Sequence, residues 1–134
     1  MSTQSVVVLD ESFNAGGDLS AAQYHGVVVS ANNACNLPTA ANDILLGVLQ
    51  NKPAAAGRQA RVVLFGRTKA FLSGTVTAGD HLYLAASGWF VKVTSGYRAC
   101  GQCIKNANSG YVGEIIVGVQ NANIAVNSVA AGQI

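Results

Sequence analysis

The chain has 134 residues, and 50% of them are hydrophobic while only 10% are charged; soluble domains typically carry about 25% charged residues. This length can bury a core without metal or disulfides, so residues 1–134 are expected to form one domain, and the sparse charge indicates that other protein covers part of the surface. The chain has only 6 acidic side chains, which leaves little material for acid–base catalysis, so an enzyme is not predicted. Its apolar runs are far shorter than the roughly 20 residues that span a bilayer, so a membrane protein is not predicted either.

Short segments rich in Val, Ile, Leu and aromatic residues, separated by Gly, Asn and Ser, predict an all-β chain. The predicted strands are, in chain order, 5–9, 24–30, 44–50, 60–65, 68–72, 81–85, 89–94, 99–104, 112–119 and 124–129. Pro38 at a first helical position predicts one helical turn near residues 38–42. The expected fold is a compact β-barrel or β-sandwich of short antiparallel hairpins, with a core over about residues 24–119.

The two ends of the chain differ from the middle in composition. Residues 1–23 contain a glycine pair and little hydrophobic alternation, and residues 120–134 are small and uncharged. Such segments are typical of arms that add a strand to the sheet edge of a neighbour, because main-chain hydrogen bonds supply the attachment. Extended N- and C-terminal arms are therefore predicted.

The hairpin TAGDHLYLAASGWFVKV places Asp80 next to His81, a pair that could mark an active site. Adjacent strand residues point to opposite faces, so these side chains cannot orient each other for acid–base catalysis. Asp80 is instead predicted to serve the turn at residues 77–80. The alternation places Leu82 and Leu84 on one face with Trp89, Val91 and Val93, and His81, Tyr83, Phe90 and Lys92 on the opposite face.

Cys100 and Cys103 form a C-x-x-C motif, with Cys35 and His25 as conceivable further zinc ligands. A zinc ribbon needs a second such pair, and a redox pair needs a helix N-terminus. On a strand, Cys100 and Cys103 would face opposite sides. Reduced, buried cysteines without metal or cofactor are predicted, and a small zinc or redox protein remains the lesser alternative.

All eight basic residues lie between positions 52 and 105, whereas four of the six acids precede them. The stretch RVVLFGRTKAF carries Arg61, Phe65, Arg67, Lys69 and Phe71, which mostly share one parity on an extended strand. Cations interleaved with aromatics are typical of nucleic-acid sites. The modest net charge of +2 and the lack of an RNA-binding signature favour a protein partner instead.

The order of turns and strands over about residues 44–119 resembles the small decoration, or cement, proteins of tailed-bacteriophage capsids. The matching residues are Gly47-Val48-Leu49-Gln50-Asn51 with Pro53, Ala56-Gly57, Ala60 with Val62, Ala78-Gly79-Asp80 with Leu82, Ala86-Ser87-Gly88 and Gly101-Gln102-Cys103-Ile104. Cys103 stands where that family commonly has a small alanine, which favours a packing role for this thiol. Residues 1–40 and 120–134 show no such match.

The resemblance implies a structural protein that binds the outside of an icosahedral head, commonly as a homotrimer, and stabilises contacts between major capsid protein subunits. It would be made in the bacterial host cytoplasm, since the N-terminal sequence lacks a secretory pattern, and would reside on the outer capsid surface of the virion. Direct nucleic-acid and membrane contacts are not expected. The main alternative is a phage tail or receptor-binding β-module. The predicted capsid or inter-subunit contacts are Arg58, Arg61, Arg67, Lys69, Trp89, Phe90, Asp10 and Glu11.

Overall fold

The computed structural model describes residues 9–41, 43–94, 97, 99–107 and 112–122, with side chains in the last strand described to residue 118. The strands are β1 Leu9–Ala15, β2 Gly26–Ala31, β3 Ala34–Asn36, β4 Gly47–Leu49, β5 Gln59–Ser73, β6 His81–Leu84, β7 Phe90–Lys92, β8 Ala99–Cys103 and β9 Val112–Ala122. The all-β prediction is confirmed. No helix able to cross a bilayer occurs among these residues.

Strand β5 is the central strand of the fold, because it belongs to two closed rings of hydrogen-bonded strands. Its first half pairs with β1 and β4, and its second half pairs with β9 and β7. The first ring runs β5–β1–β3–β2–β4 and the second runs β5–β7–β6–β8–β9, each returning to β5. The predicted barrel is thus present as two small rings that share one strand. The predicted strands 60–65 and 68–72 are thus parts of one continuous strand.

Each ring encloses its own hydrophobic core, and the two cores meet where β4 pairs with β5. The first core contains Ala15, Leu19, Ala22, Val27, Cys35, Leu49, Ala60 and Val62. The second contains Leu45, Val48, Val63, Ala70, Leu72, Val76, Leu82, Leu84, Phe90, Cys100, Cys103, Ile115 and Val117. Val48 and Val63 are cross-strand partners that lie in the second core, so the first ring contributes directly to the packing of the second.

Close backbone approach fixes the two rings against each other. A Cβ on Gly26 would lie 2.5 Å from Leu84 Cδ1, so only glycine lets β2 approach the second core this closely. The Phe71 amide donates to the Tyr24 carbonyl at 3.0 Å, and the Ser87 amide donates to the Pro38 carbonyl at 3.0 Å. These bonds pair main-chain groups across the seam between the rings.

The described part of the predicted N-terminal arm, residues 9–23, belongs instead to the folded domain. Strand β1 pairs with β5 along its length, and Ala15, Leu19 and Ala22 are buried in the first core. The sequence pattern concealed this strand because Ala15 is its single buried residue, and Asp10, Ser12 and Asn14 leave little hydrophobic pattern. Residues 1–8 and 123–134, which include the predicted strand 124–129, lie outside the described residues.

Two smaller corrections concern turns. The predicted helical turn near residues 38–42 is wrong for residues 38–41, which form a bend held by the Asp43 carboxylate, the acceptor for the amides of Thr39 and Ala40. The predicted alternation within β6 is confirmed, but the predicted faces of β7 relative to β6 are reversed. Its turn spans Ala86–Gly88, the Ala85 amide donates to the Trp89 carbonyl, and Leu84 therefore lies opposite Phe90 and shares its face.

Candidate docking surface

The outward face of β5 carries the basic and aromatic residues that the sequence predicted to share one parity. These side chains are Arg61, Phe65, Arg67, Lys69 and Phe71, all exposed or half-buried. The alternating residues Ala60, Val62, Ala70 and Leu72 are buried in the two cores. The predicted parity holds for these five side chains, because a strand presents alternate side chains to opposite faces, but Val63, which has the same parity, is buried in the second core.

Three cations surround one carboxylate on the second-ring half of this face. Arg67 Nε donates to Glu114 Oε1 at 3.0 Å, and Lys105 Nζ lies 3.4 Å from Glu114 Oε2. The hydrogen bond from Arg67 holds the pKa of Glu114 below its usual range. Lys69 lies opposite Glu114 in the ladder, and its ammonium lies 5.8 Å from the centre of the Tyr24 ring, within the range of a cation–π contact. The patch is thus positively charged overall.

Exposed apolar side chains flank the cations at both ends. Leu9 is 51% exposed and lies opposite Phe65, which is 50% exposed. Val112 is 40% exposed and lies opposite Phe71. We call the surface formed by Leu9, Phe65, Arg67, Lys69, Val112 and Glu114 the β5–β9 face. Of these residues, Leu9, Val112 and Glu114 were not predicted as contacts, because they become neighbours of β5 only through strand pairing.

The remaining charged residues predicted as contacts lie on the first ring. Arg61 Nη2 is 3.0 Å from Asp10 Oδ2, and both residues line an open polar groove of about 530 Å³ together with Glu11, Ser12, Asn51 and Gln59. Exposed ion pairs of this kind contribute about 0–1 kcal/mol. Because Asp10 neutralises Arg61, the predicted basic run is not one continuous charged patch. Arg58 is exposed immediately before β5.

The two predicted aromatic contacts have different environments. Phe90 is fully buried in the second core, so it offers no surface to a partner, and its place among the predicted contacts is corrected. Its burial follows from the three-residue turn that aligns it with Leu84. Trp89 is half-buried and packs edge-on against His25 and Phe71, each with ring centres 5.5 Å away.

His25 lies in the seam between the rings. Its ring centre is 4.6 Å from that of Phe71, and its Nδ1 lies 3.2 Å from the Ser87 carbonyl oxygen. Burial lowers the pKa of His25 below its ordinary value of 6.5, and the Ser87 carbonyl acts in the opposite direction. The neutral imidazole is therefore the form that this packing favours.

We expect this packing to make the stability of the protein depend on pH below 6.5. A group whose folded pKa is depressed contributes stability that is fully present above its unfolded pKa and is lost as pH falls through the folded value. The free energy of unfolding in urea, measured from pH 7.5 downward, should therefore decrease below about pH 6.5. His25→Gln should remove that part of the slope, and His81→Gln, the control at the exposed histidine, should retain it. Equal slopes in both variants would contradict this expectation.

Asp80 serves the turn, as the sequence predicted. Its carboxylate accepts a hydrogen bond from the Thr77 amide at 2.9 Å and lies 3.9 Å from Lys92 Nζ. A shallow cavity of about 270 Å³ adjoins it, lined by Gly79, Asp80, His81, Lys92, Val93 and Ala99. His81 is exposed on the outer side of β6.

Cys100 and Cys103 both lie in the second core, with exposures of 2% and 1%. The ladder between β8 and β9 shifts register between Ala99 and Gly101. This irregularity turns both side chains inward, so the prediction that they face opposite sides is wrong. Cys103 Sγ donates to the Lys105 carbonyl, and burial raises the pKa of this thiol. Among the described residues, no three His, Cys, Asp or Glu side chains group closely enough to hold a metal ion.

No family model and no curated protein sequence matches the chain. Among solved structures, the chain is similar to the N base of head fiber gp8.5 in bacteriophage phi29, with a TM-score of 0.61 and 14% sequence identity. The match covers 88% of this chain and 98% of that one. At this level of identity, the likeness establishes a common fold over nearly the whole of the fiber base.

Proposed function

We infer that this chain is a non-enzymatic structural protein of a bacteriophage virion that binds the outer surface of the icosahedral head. The observation that carries the proposal is the common fold with the base of a phage head fiber, which extends over 98% of that base. The sequence resemblance of residues 44–119 to capsid decoration proteins supports the same class of function. The partner would be the major capsid protein, and the effect would be to stabilise the joints between its subunits.

A homotrimer is the form in which such a protein would act most effectively. A standard interface of about 800 Å² per partner has a gross hydrophobic term of about 20 kcal/mol at 25 cal/mol per Å², but most of this is offset by association and ordering costs. One copy would therefore bind modestly. Three linked copies that engage several capsid subunits would gain affinity through effective concentration without any new contact.

The proposal can be tested with purified protein and heads of the encoding phage prepared without it. We expect the protein to sediment with the heads at saturating stoichiometry and to raise the temperature at which they release DNA. Sedimentation of the free protein should give the mass of a trimer. A tail fragment of the same phage and an unrelated icosahedral head serve as controls. Binding to the tail alone would overturn the proposal in favour of a tail or receptor-binding module.

A further inference from the structure

We propose that the β5–β9 face is the surface that docks on the head, and that its partner is a protein surface with carboxylates arranged around an apolar centre. This inference rests on the proposed function and adds which side of the molecule makes the contact. Three properties of the face support it: its charge, its exposed apolar side chains and its existing contacts.

The β5–β9 face carries more basic than acidic side chains. Arg67 and Lys69 of the face and the adjacent Lys105 lie around Glu114, the one carboxylate that the described residues place beside them. Within the part of the chain that the structure describes, Lys69 has no carboxylate partner, and its contact is with the Tyr24 ring. A surface with this excess of cations associates most favourably with an acidic surface, because complementary potentials accelerate encounter and disfavour wrong partners.

The β5–β9 face also exposes apolar side chains. Leu9 and Phe65 form a cross-strand pair with about half of each side chain in contact with solvent. The outward row from Phe65 to Phe71 spans about 20 Å at about 3.3 Å per residue. An aromatic anchor surrounded by arginine and other polar side chains is the usual composition of a binding hot spot. A partner would bury this pair and leave the cations at the rim.

The contacts of the face favour protein over nucleic acid. Single strands bind to exposed aromatic faces along a groove of unpaired cations. Here the ring of Phe71 packs against His25 and Trp89, and Arg67 already donates to Glu114. Phe65 and Lys69 alone do not supply such a track.

A second copy of this chain fits the face less well than a different protein, because the described acids are dispersed and mostly engaged locally. Asp10 pairs with Arg61, and Asp80 lies beside Lys92. Asp18 accepts two hydrogen bonds from Ser20, and Asp43 accepts from the amides of Thr39 and Ala40. Glu11 lies in the groove beside Asp10 and Arg61. These acids do not form a carboxylate cluster that could match the cations.

The test uses two pairs of matched variants. Lys69→Glu reverses a charge on the face, and Lys52→Glu makes the same change at an exposed lysine of the first ring. Phe65→Ser removes an apolar side chain from the face, and Ile44→Ser removes one that is 67% exposed elsewhere. The urea midpoint of each variant is measured first, so that weaker head binding can be separated from lower stability. Affinity for heads prepared without the protein is measured at several salt concentrations.

We expect Lys69→Glu and Phe65→Ser each to weaken binding by about tenfold or more, whereas the two controls should stay within about twofold. If the parent binds and all four variants bind equally well, the face is wrong although head binding stands. If the parent does not bind heads, the proposed function fails and this inference with it. Binding to a single-stranded oligonucleotide that Lys69→Glu abolishes would identify a nucleic-acid site. Loss of self-association in Lys69→Glu would identify a second copy as the occupant. Either result would overturn the inference.

Discussion

Replacement of Gly47 by alanine is expected to destabilise the protein by about 3 kcal/mol. A Cβ at this position would lie 2.2 Å from the Val63 carbonyl oxygen and 2.6 Å from Val62 Cγ1. The oxygen belongs to the main chain of β5, so no rotation of a side chain can relieve the clash. Strand β4 pairs with β5 at these same residues, so the backbone can yield only by weakening the ladder at which the two cores meet.

The measurement is urea unfolding at neutral pH, with the midpoint and slope compared between variants. Gly17→Ala is the matched control, since the same added methyl group would meet nothing closer than Asn36 Nδ2 at 3.8 Å. Its expected effect is within about 0.5 kcal/mol. A Gly47→Ala variant as stable as the Gly17→Ala variant would show that β4 does not lie this close to β5.

Truncation of Phe90 to alanine is expected to cost about 3–5 kcal/mol, because the ring is fully buried and its removal leaves a cavity. A domain of this size has a total stability of about 5–15 kcal/mol, so the loss is a large part of the whole. Phe65→Ala is the control at a phenylalanine that is 50% exposed, and its expected cost is below about 1 kcal/mol.

Urea unfolding again provides the comparison. If Phe90→Ala does not yield folded protein, Phe90→Leu should unfold at a lower urea concentration than the parent protein while keeping the slope. Equal stability losses at Phe90 and Phe65 would contradict the assignment of Phe90 to the core and restore it as a surface candidate.

Alternation along a single strand was the part of the fold that the sequence predicted best. The outward position of Arg61, Phe65, Arg67 and Lys69 followed from parity within one segment, and the structure places them so. Parity is a local property that depends only on extended backbone. It does not identify the strands that lie on either side, and for that reason Leu9 and Glu114 were not recognised as neighbours.

The errors arose where geometry depends on features that leave little trace in composition. A three-residue turn decided the face of Phe90, and a register shift beside Gly101 turned Cys100 into the core. Strand β1 was not predicted because it buries a single residue, Ala15. Its place in the fold is fixed by pairing with β5, more than 40 positions later in the chain, and a local hydrophobic pattern cannot reveal such a contact.

The sharing of β5 by both rings has a mechanical consequence. A pull applied to the first ring reaches the second through the peptide bonds of one continuous segment, rather than through a seam of side chains. To separate the two halves, a load must first shear the ladders that β1 and β9 form with this segment, so many hydrogen bonds bear the force together. Such a connection would let a small protein transmit force between two binding points without separation of its two rings.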